Sequence, residues 1–138
     1  MDEMIFRELL TENQWKTVDK DKIAGFFESE IGKRMLLSQN VKREVPFVVR
    51  LKASDIYKVK SEEYIMLQGA IDCYFEEDGK IILVDYKTDY VTDENINIVV
   101  EKYKNQLMYY SFALEKITGK SVKEKYLYLF YDGRIVKI

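Results

Sequence analysis

The sequence predicts an α/β sandwich, and three observations carry that expectation. Apolar residues recur at helical spacing near the start and again from about residue 94, β-branched and aromatic runs lie between and after them, and Asp-Gly pairs mark two tight turns. Met4 to Leu10 reads as a short helix, and Thr11-Glu12-Asn13-Gln14 has the form of a capping box. From Asp21 the spacing of Ile23, Phe26, Phe27, Ile31 and Met35 predicts one amphipathic helix ending near Asn40. The period then changes. Val45 to Leu51 is β-branched and aromatic, with Pro46 suited to a strand start or edge. Residues 64–76 and 80–88 read as two long strands around Glu77-Asp78-Gly79-Lys80. A stripe from Ile96 through Val99, Val100, Tyr103, Leu107, Tyr110 and Leu114 to Ile117 predicts a long helix stopping at Gly119. Lys125 to Tyr131 and Arg134 to Ile138 close the chain as a hairpin around Asp132-Gly133.

The chain has 138 residues, 47% of them apolar and 33% charged, which suits a single domain over residues 1–138 with one core. Its lone Cys73 excludes an internal disulfide and a thiolate zinc cluster, and the absence of histidine removes the commonest general base. Any catalysis must therefore run on carboxylates, lysine and metal. Met1-Asp2-Glu3 opens acidic, and no apolar run approaches the roughly 20 residues of a spanning helix, so the expected location is cytoplasmic, away from membranes. The net charge of −2 hides a strong pattern. Residues 61–101 carry 11 acidic and 2 basic groups, whereas 31–60 carry 2 acidic and 8 basic and 102–138 carry 3 and 8. An acidic centre between basic flanks fits a metal site with a phosphate-contacting rim, and it fits an unevenly charged solvated surface as well.

The hairpin concentrates the chemistry. With Asp78-Gly79 as a two-residue turn, directly opposed residues have numbers that sum to 157, so Asp72 falls opposite Asp85. Lys87 shares that face, two positions beyond Asp85 and across from the small Ala70. Two carboxylates about 5 Å apart repel by about 3 kcal/mol at an effective dielectric near 20. They sit beside Ile81-Ile82-Leu83-Val84, an apolar run of the kind covered on both faces, where an unpaired charge is costly. A divalent cation held by Asp72 and Asp85 resolves the repulsion, and Mg²⁺ suits a two-carboxylate site that keeps its waters. Lys87 would then orient a water nucleophile or stabilise charge on a phosphate. The plainer reading is a strand leaving the core with Lys87 pairing an aspartate.

These residues form a familiar set. Gly69-Ala70-Ile71-Asp72, Asp85-Tyr86-Lys87-Thr88-Asp89 and Tyr103-x-x-Gln106-Leu107-x-x-Tyr110, in this order, resemble the PD-(D/E)xK nuclease superfamily. Within it the sequence is most similar to the C-terminal nuclease domains of the AddA-type subunits of bacterial AddAB helicase–nucleases, relatives of RecB. The likeness runs from Phe26-Phe27-Glu28-Ser29-Glu30 through Arg43-Glu44-Val45-Pro46-Phe47 to Tyr126-Leu127-Tyr128. It implies a restriction-endonuclease-like core, with a central mixed sheet built on a β-hairpin and helices flanking it. It further implies a Mg²⁺-dependent exodeoxyribonuclease, with Mn²⁺ as a substitute, acting on single-stranded DNA in double-strand-break repair and recombination.

By the same resemblance Asp72, Asp85 and the backbone carbonyl of Tyr86 hold the metal, Lys87 is the catalytic lysine, and Gln106 and Tyr110 support the site and approach DNA. Glu44 is either a further group beside the metal or a partner for Arg43 or a nearby lysine. Lys33, Arg34, Lys42, Arg43, Lys102 and Lys104 are candidates for the phosphate path. The family pattern includes an upstream Gly-Thr-x-x-His helix and its histidine ligand, which this sequence lacks. There is no Walker P-loop and hence no ATP site. The expectation is a C-terminal fragment of a larger helicase–nuclease, weakly active or inactive alone, working with upstream helicase domains and an AddB-like partner subunit. The alternative is a non-catalytic nuclease-like module that binds DNA or a partner.

Overall fold

A computed structural model describes residues 20–138. The expected helix Met4–Leu10 and the capping box at Thr11–Gln14 lie outside the described residues. From there the order is α1 (Lys20–Glu28), α2 (Glu30–Leu37), β1 (Val41–Lys52), α3 (Ala53–Ile56), β2 (Tyr64–Glu77), β3 (Lys80–Lys87), α4 (Ile96–Thr118), β4 (Val122–Leu129) and β5 (Arg134–Lys137). The five strands form one sheet in the order β1-β2-β3-β4-β5. Only β3 and β4 pair parallel; the other neighbours are antiparallel, so the sheet is mixed. Parallel neighbours need a long crossover, and α4 supplies it.

The helix expected from Asp21 to Asn40 is two helices. Ser29 takes an extended conformation between them, and its side chain accepts the amide of Gly32 at 3.1 Å as the cap of α2. The break folds α2 back onto α1. A methyl group at Gly32 would sit 2.1 Å from the carbonyl oxygen of Phe26, so only glycine permits this approach. Apolar spacing continued through the break and concealed it.

Helices α1 and α2 cover one face of the sheet. Phe26, fully buried, makes edge-on contacts with Tyr86 at 5.1 Å and Tyr128 at 4.8 Å between ring centroids. On the other face α4 packs Leu107, Ala113 and Leu114 against Ile81, Leu83, Leu127 and Leu129. Ile81, Ile82, Leu83 and Val84 are all buried, alternating between the two cores, which accounts for an apolar run without polar alternation.

At the turn Asp78 and Gly79 have φ of 56° and 74°, the left-handed pair that a two-residue hairpin of type I′ requires. The expected register holds from Glu77–Lys80 to Cys73–Val84. It stops there, so Asp72–Asp85 and Ala70–Lys87 are not ladder pairs. The reason lies in β1 and β2, which change faces together. Val41 packs toward α1 and α2 but Val45 toward α4; likewise Cys73 and Phe75 face the first core and Ile71 the second. Between them stand Glu44, with φ of 50°, and Asp72. Their neighbours stay paired one to one, Arg43 with Cys73 and Val45 with Ile71, so the switch is a rotation of both strands and not an inserted residue. Beyond it β2 follows β1, while β3 continues beside β4 through Lys87–Leu129.

Candidate active site

The end of β3 is held mainly by what surrounds it. The Tyr86 ring is buried among Phe26 and Phe130, and its backbone amide donates to Asp72 Oδ2 at 3.0 Å. The Lys87 carbonyl accepts the amide of Phe130 at 2.9 Å. With its backbone fixed on both sides, this segment turns Asp85 and Lys87 toward α4.

Asp85 is 2% exposed, the one charged residue that is buried among the described residues. Lys87 Nζ stands 2.9 Å from its Oδ2, close enough for strong attraction yet misaligned for a hydrogen bond. That oxygen has no hydrogen-bond partner among the described residues. Burial first, then the neighbouring Asp72 carboxylate, pushes Asp85 up to about 8, against the opposing pull of Lys87. Burial works to lower Lys87, but Asp85 and Asp72 outweigh it and its proton is held more tightly than usual. The two carboxylates and the lysine therefore converge as expected, even though the ladder does not make Asp72 and Asp85 partners. The plainer reading, an Asp85–Lys87 ion pair, is also present in the same geometry.

From α4, Gln106 and Tyr110 face this group. Gln106 Nε2 donates to Tyr110 Oη at 2.9 Å, and the amide oxygen of Gln106 is a second buried acceptor without a hydrogen-bond partner among the described residues. Tyr110 is raised by burial and then by Asp85, with Asp72 adding to it, and its ring stands edge-on to Phe47 at 5.5 Å. Glu44 is exposed and pairs with Arg43 at 3.1 Å, the second of the two roles expected for it. The phosphate-path candidates are partly committed elsewhere. Arg34 binds Glu77 at 2.7 Å and Glu124 at 3.2 Å near the hairpin turn, Lys102 pairs Asp89 and Lys104 pairs Glu101, whereas Lys33 and Lys42 are exposed.

Sequence reasoning placed Tyr103 and Asp89 in motifs without giving either a place at the site. The structure brings both there: Lys87 Nζ lies 4.2 Å from the centre of the Tyr103 ring, and Tyr103 Oη donates to both oxygens of Asp89. The available signal was spacing, since positions 103, 106 and 110 share one helical face.

Among the described residues no group of three or more His, Cys, Asp or Glu side chains is placed to hold a metal. The donor set is two carboxylates, one of them carrying a buried oxygen without a hydrogen bond, which suits a hard divalent cation that retains waters. No helix among the described residues is long and apolar enough to cross a membrane.

Comparison with known proteins agrees with this arrangement. The family model of the PD-(D/E)XK nuclease superfamily matches residues 2–137. The chain is 53% identical over 139 residues to an ATP-dependent helicase/nuclease subunit of Thermoanaerobacter sp. (strain X514), covering 98% of this chain and 11% of that protein. It is 48% identical to the protein of the same name from Acetivibrio thermocellus (99% and 11%) and 51% identical to that from Clostridium kluyveri (100% and 11%). The chain thus spans about a tenth of the length of these relatives, the 11% that aligns. With the match running nearly end to end and the mixed sheet presenting two aspartates and a lysine at the end of β3, the chain belongs to the PD-(D/E)XK nuclease superfamily.

Proposed function

We propose that this chain is the metal-dependent nuclease domain of a longer helicase–nuclease and hydrolyses phosphodiester bonds of single-stranded DNA. The observation that carries the reading is the convergence of Asp72 and Lys87 on the buried Asp85, whose Oδ2 has no hydrogen-bond partner among the described residues. Asp72, Asp85 and the Tyr86 carbonyl would hold Mg²⁺, for which Mn²⁺ can substitute. The bound ion supplies Lewis acidity at the scissile phosphate.

The chain's own residues do the rest. Asp85, at the end of a rigid buried strand, fixes the direction from which a phosphate is approached. The Lys87 ammonium orients the attacking water and stabilises negative charge that grows on the phosphate oxygens. Gln106 supports the site from α4, and its hydrogen bond holds the Tyr110 hydroxyl toward the DNA side. In the longer polypeptide the single strand would come from upstream helicase domains working with a partner subunit of the AddB type, in the cytoplasm, at broken DNA ends. Exonucleolytic cutting is part of this reading.

The test is cleavage of an end-labelled single strand at millimolar Mn²⁺ or Mg²⁺, by this chain and by a longer polypeptide that carries it. Cleavage lost in both Asp85→Ala and Lys87→Ala upholds the reading. Cleavage that survives Asp85→Ala overturns it, and single-strand binding without cleavage by either wild-type protein leaves a non-catalytic module.

A further inference from the structure

Lys87 has two neighbours that compete for its ammonium, and the competition has a purpose. Its Nζ is 2.9 Å from Asp85 Oδ2 but off the line of a hydrogen bond, and on another side it lies 4.2 Å from the centre of the Tyr103 ring. A lysine is a point charge on a flexible stem, so a carboxylate alone would capture it fully. The ring face attracts the same charge through its quadrupole, most effectively where water is excluded. The Lys87 side chain is 18% exposed, so this contact is largely sheltered. Lys102 approaches the same ring at 5.0 Å and Asp89 at 3.4 Å, but its side chain is 62% exposed and its pull is screened.

The ring itself is fixed. Tyr103 Oη donates to Asp89 Oδ1 at 2.8 Å and Oδ2 at 2.9 Å, which sets the ring's orientation and feeds electron density into it. Asp89 follows Lys87 by two residues, just past the end of β3, and Tyr103 comes two turns into α4. The crossover therefore returns a ring to the lysine from which the strand departed.

We propose that Tyr103 and Asp89 are a positioning pair for Lys87: the Tyr103 ring caps the ammonium that is ion-paired with Asp85 and fixes the direction in which it faces water and phosphate, and Asp89 locks that ring. The inference rests on the role given to Lys87 in the proposed hydrolysis. Neither residue touches the reacting atoms.

The test joins a spectroscopic and a kinetic measurement on the full 138-residue chain. The ε-methylene protons of Lys87, assigned by their loss in Lys87→Gln, are expected upfield of ordinary lysine because they lie over a ring. The shift persists in Tyr103→Phe, disappears in Tyr103→Leu and shrinks in Asp89→Asn. In parallel, kcat on single-stranded DNA falls about ten- to a hundredfold in Tyr103→Leu with KM unchanged, and Tyr103→Phe recovers most of it. Ordinary lysine shifts in the wild type, or a folded Tyr103→Leu that cuts at the wild-type rate, overturn the proposal. Should Tyr103→Leu fail to fold, Asp89→Asn decides: an unchanged shift and an unchanged kcat overturn it. A wild-type chain that shows the shift, when neither it nor a longer polypeptide carrying it cuts DNA, upholds the placement and overturns the nuclease reading instead.

Discussion

The amide of Tyr86 donates to Asp72 Oδ2 where the next rung of the β2–β3 ladder would have been, at 3.0 Å. Asp72 thereby gains a fixed donor. Since burial and then Asp72 raise Asp85 to about 8, the folded chain keeps a proton that the unfolded chain releases near the ordinary carboxylate value of 3.8. The folded state binds more protons between those two values, so stability declines as pH rises through the window from about 4 to about 8. Urea midpoints measured from pH 5 to pH 8 should fall for the wild type. Asp85→Asn should flatten that dependence and be more stable at pH 8 by about 1–2 kcal/mol. A wild-type midpoint that climbs across the window contradicts this account.

Divalent metal should reverse the effect, because a ligand that binds only the folded chain stabilises it. Thermal melts with millimolar Mg²⁺ or Mn²⁺, compared with melts in chelator, should show a higher midpoint for the wild type and for Lys87→Gln, which keeps both carboxylates. Asp85→Ala should gain nothing. In cleavage assays Lys87→Gln should lose about a hundredfold or more in kcat, so metal binding and hydrolysis separate in that variant.

Gly32→Ala tests the fold at α1–α2. An added methyl meets the Phe26 carbonyl oxygen at 2.1 Å and Phe27 Cα at 2.7 Å, and backbone cannot yield as a flexible side chain does. Denaturant titration should record a loss of about 2–3 kcal/mol even though alanine is the better helix former. An unchanged midpoint would mean the two helices meet differently.

Arg34 ties α2 to the far end of the sheet through Glu77 and Glu124, and its hydrogen bonds, followed by that from Tyr126, hold Glu124 down at about 2. A depressed carboxylate contributes stability that is complete above its unfolded value of 4.5 and is lost as pH falls toward 2. Arg34→Leu should therefore cost about 2 kcal/mol at pH 7 and progressively less in acid. Equal losses at pH 7 and pH 3 would show that the arginine acts through packing alone.

Much of this was legible because it depends on local chemistry. Asp78-Gly79 dictates its turn, and the turn dictates the register as far as Cys73–Val84, next to Asp72 and Asp85. The limit of that logic is also physical. Nothing in a period-2 pattern says that β1 and β2 will rotate together at Glu44 and Asp72, so Ala70 went to β1 (Pro46) and not to Lys87. The break at Ser29 was hidden because apolar spacing ran through it, although Ser29 and Gly32 held a cap and a close contact. Tyr103 read as core because its apolar stripe is real. Its hydroxyl partner, 14 residues upstream, becomes visible only when the crossover closes.

The parallel pairing of β3 with β4 has a consequence for the order in which the molecule assembles. The β2–β3 hairpin is local and can zip from its turn, yet its rungs end at Cys73–Val84, one residue short of Asp85. The segment that bears Asp85 and Lys87 is held in the sheet by β4, which arrives only after α4 has crossed over. Contacts that span more chain form later, because closing the larger loop costs more entropy. The hairpin should therefore gain amide protection ahead of Asp85 through Lys87. A nascent chain that has emerged only as far as α4 would carry every residue of the candidate site without yet holding them as one.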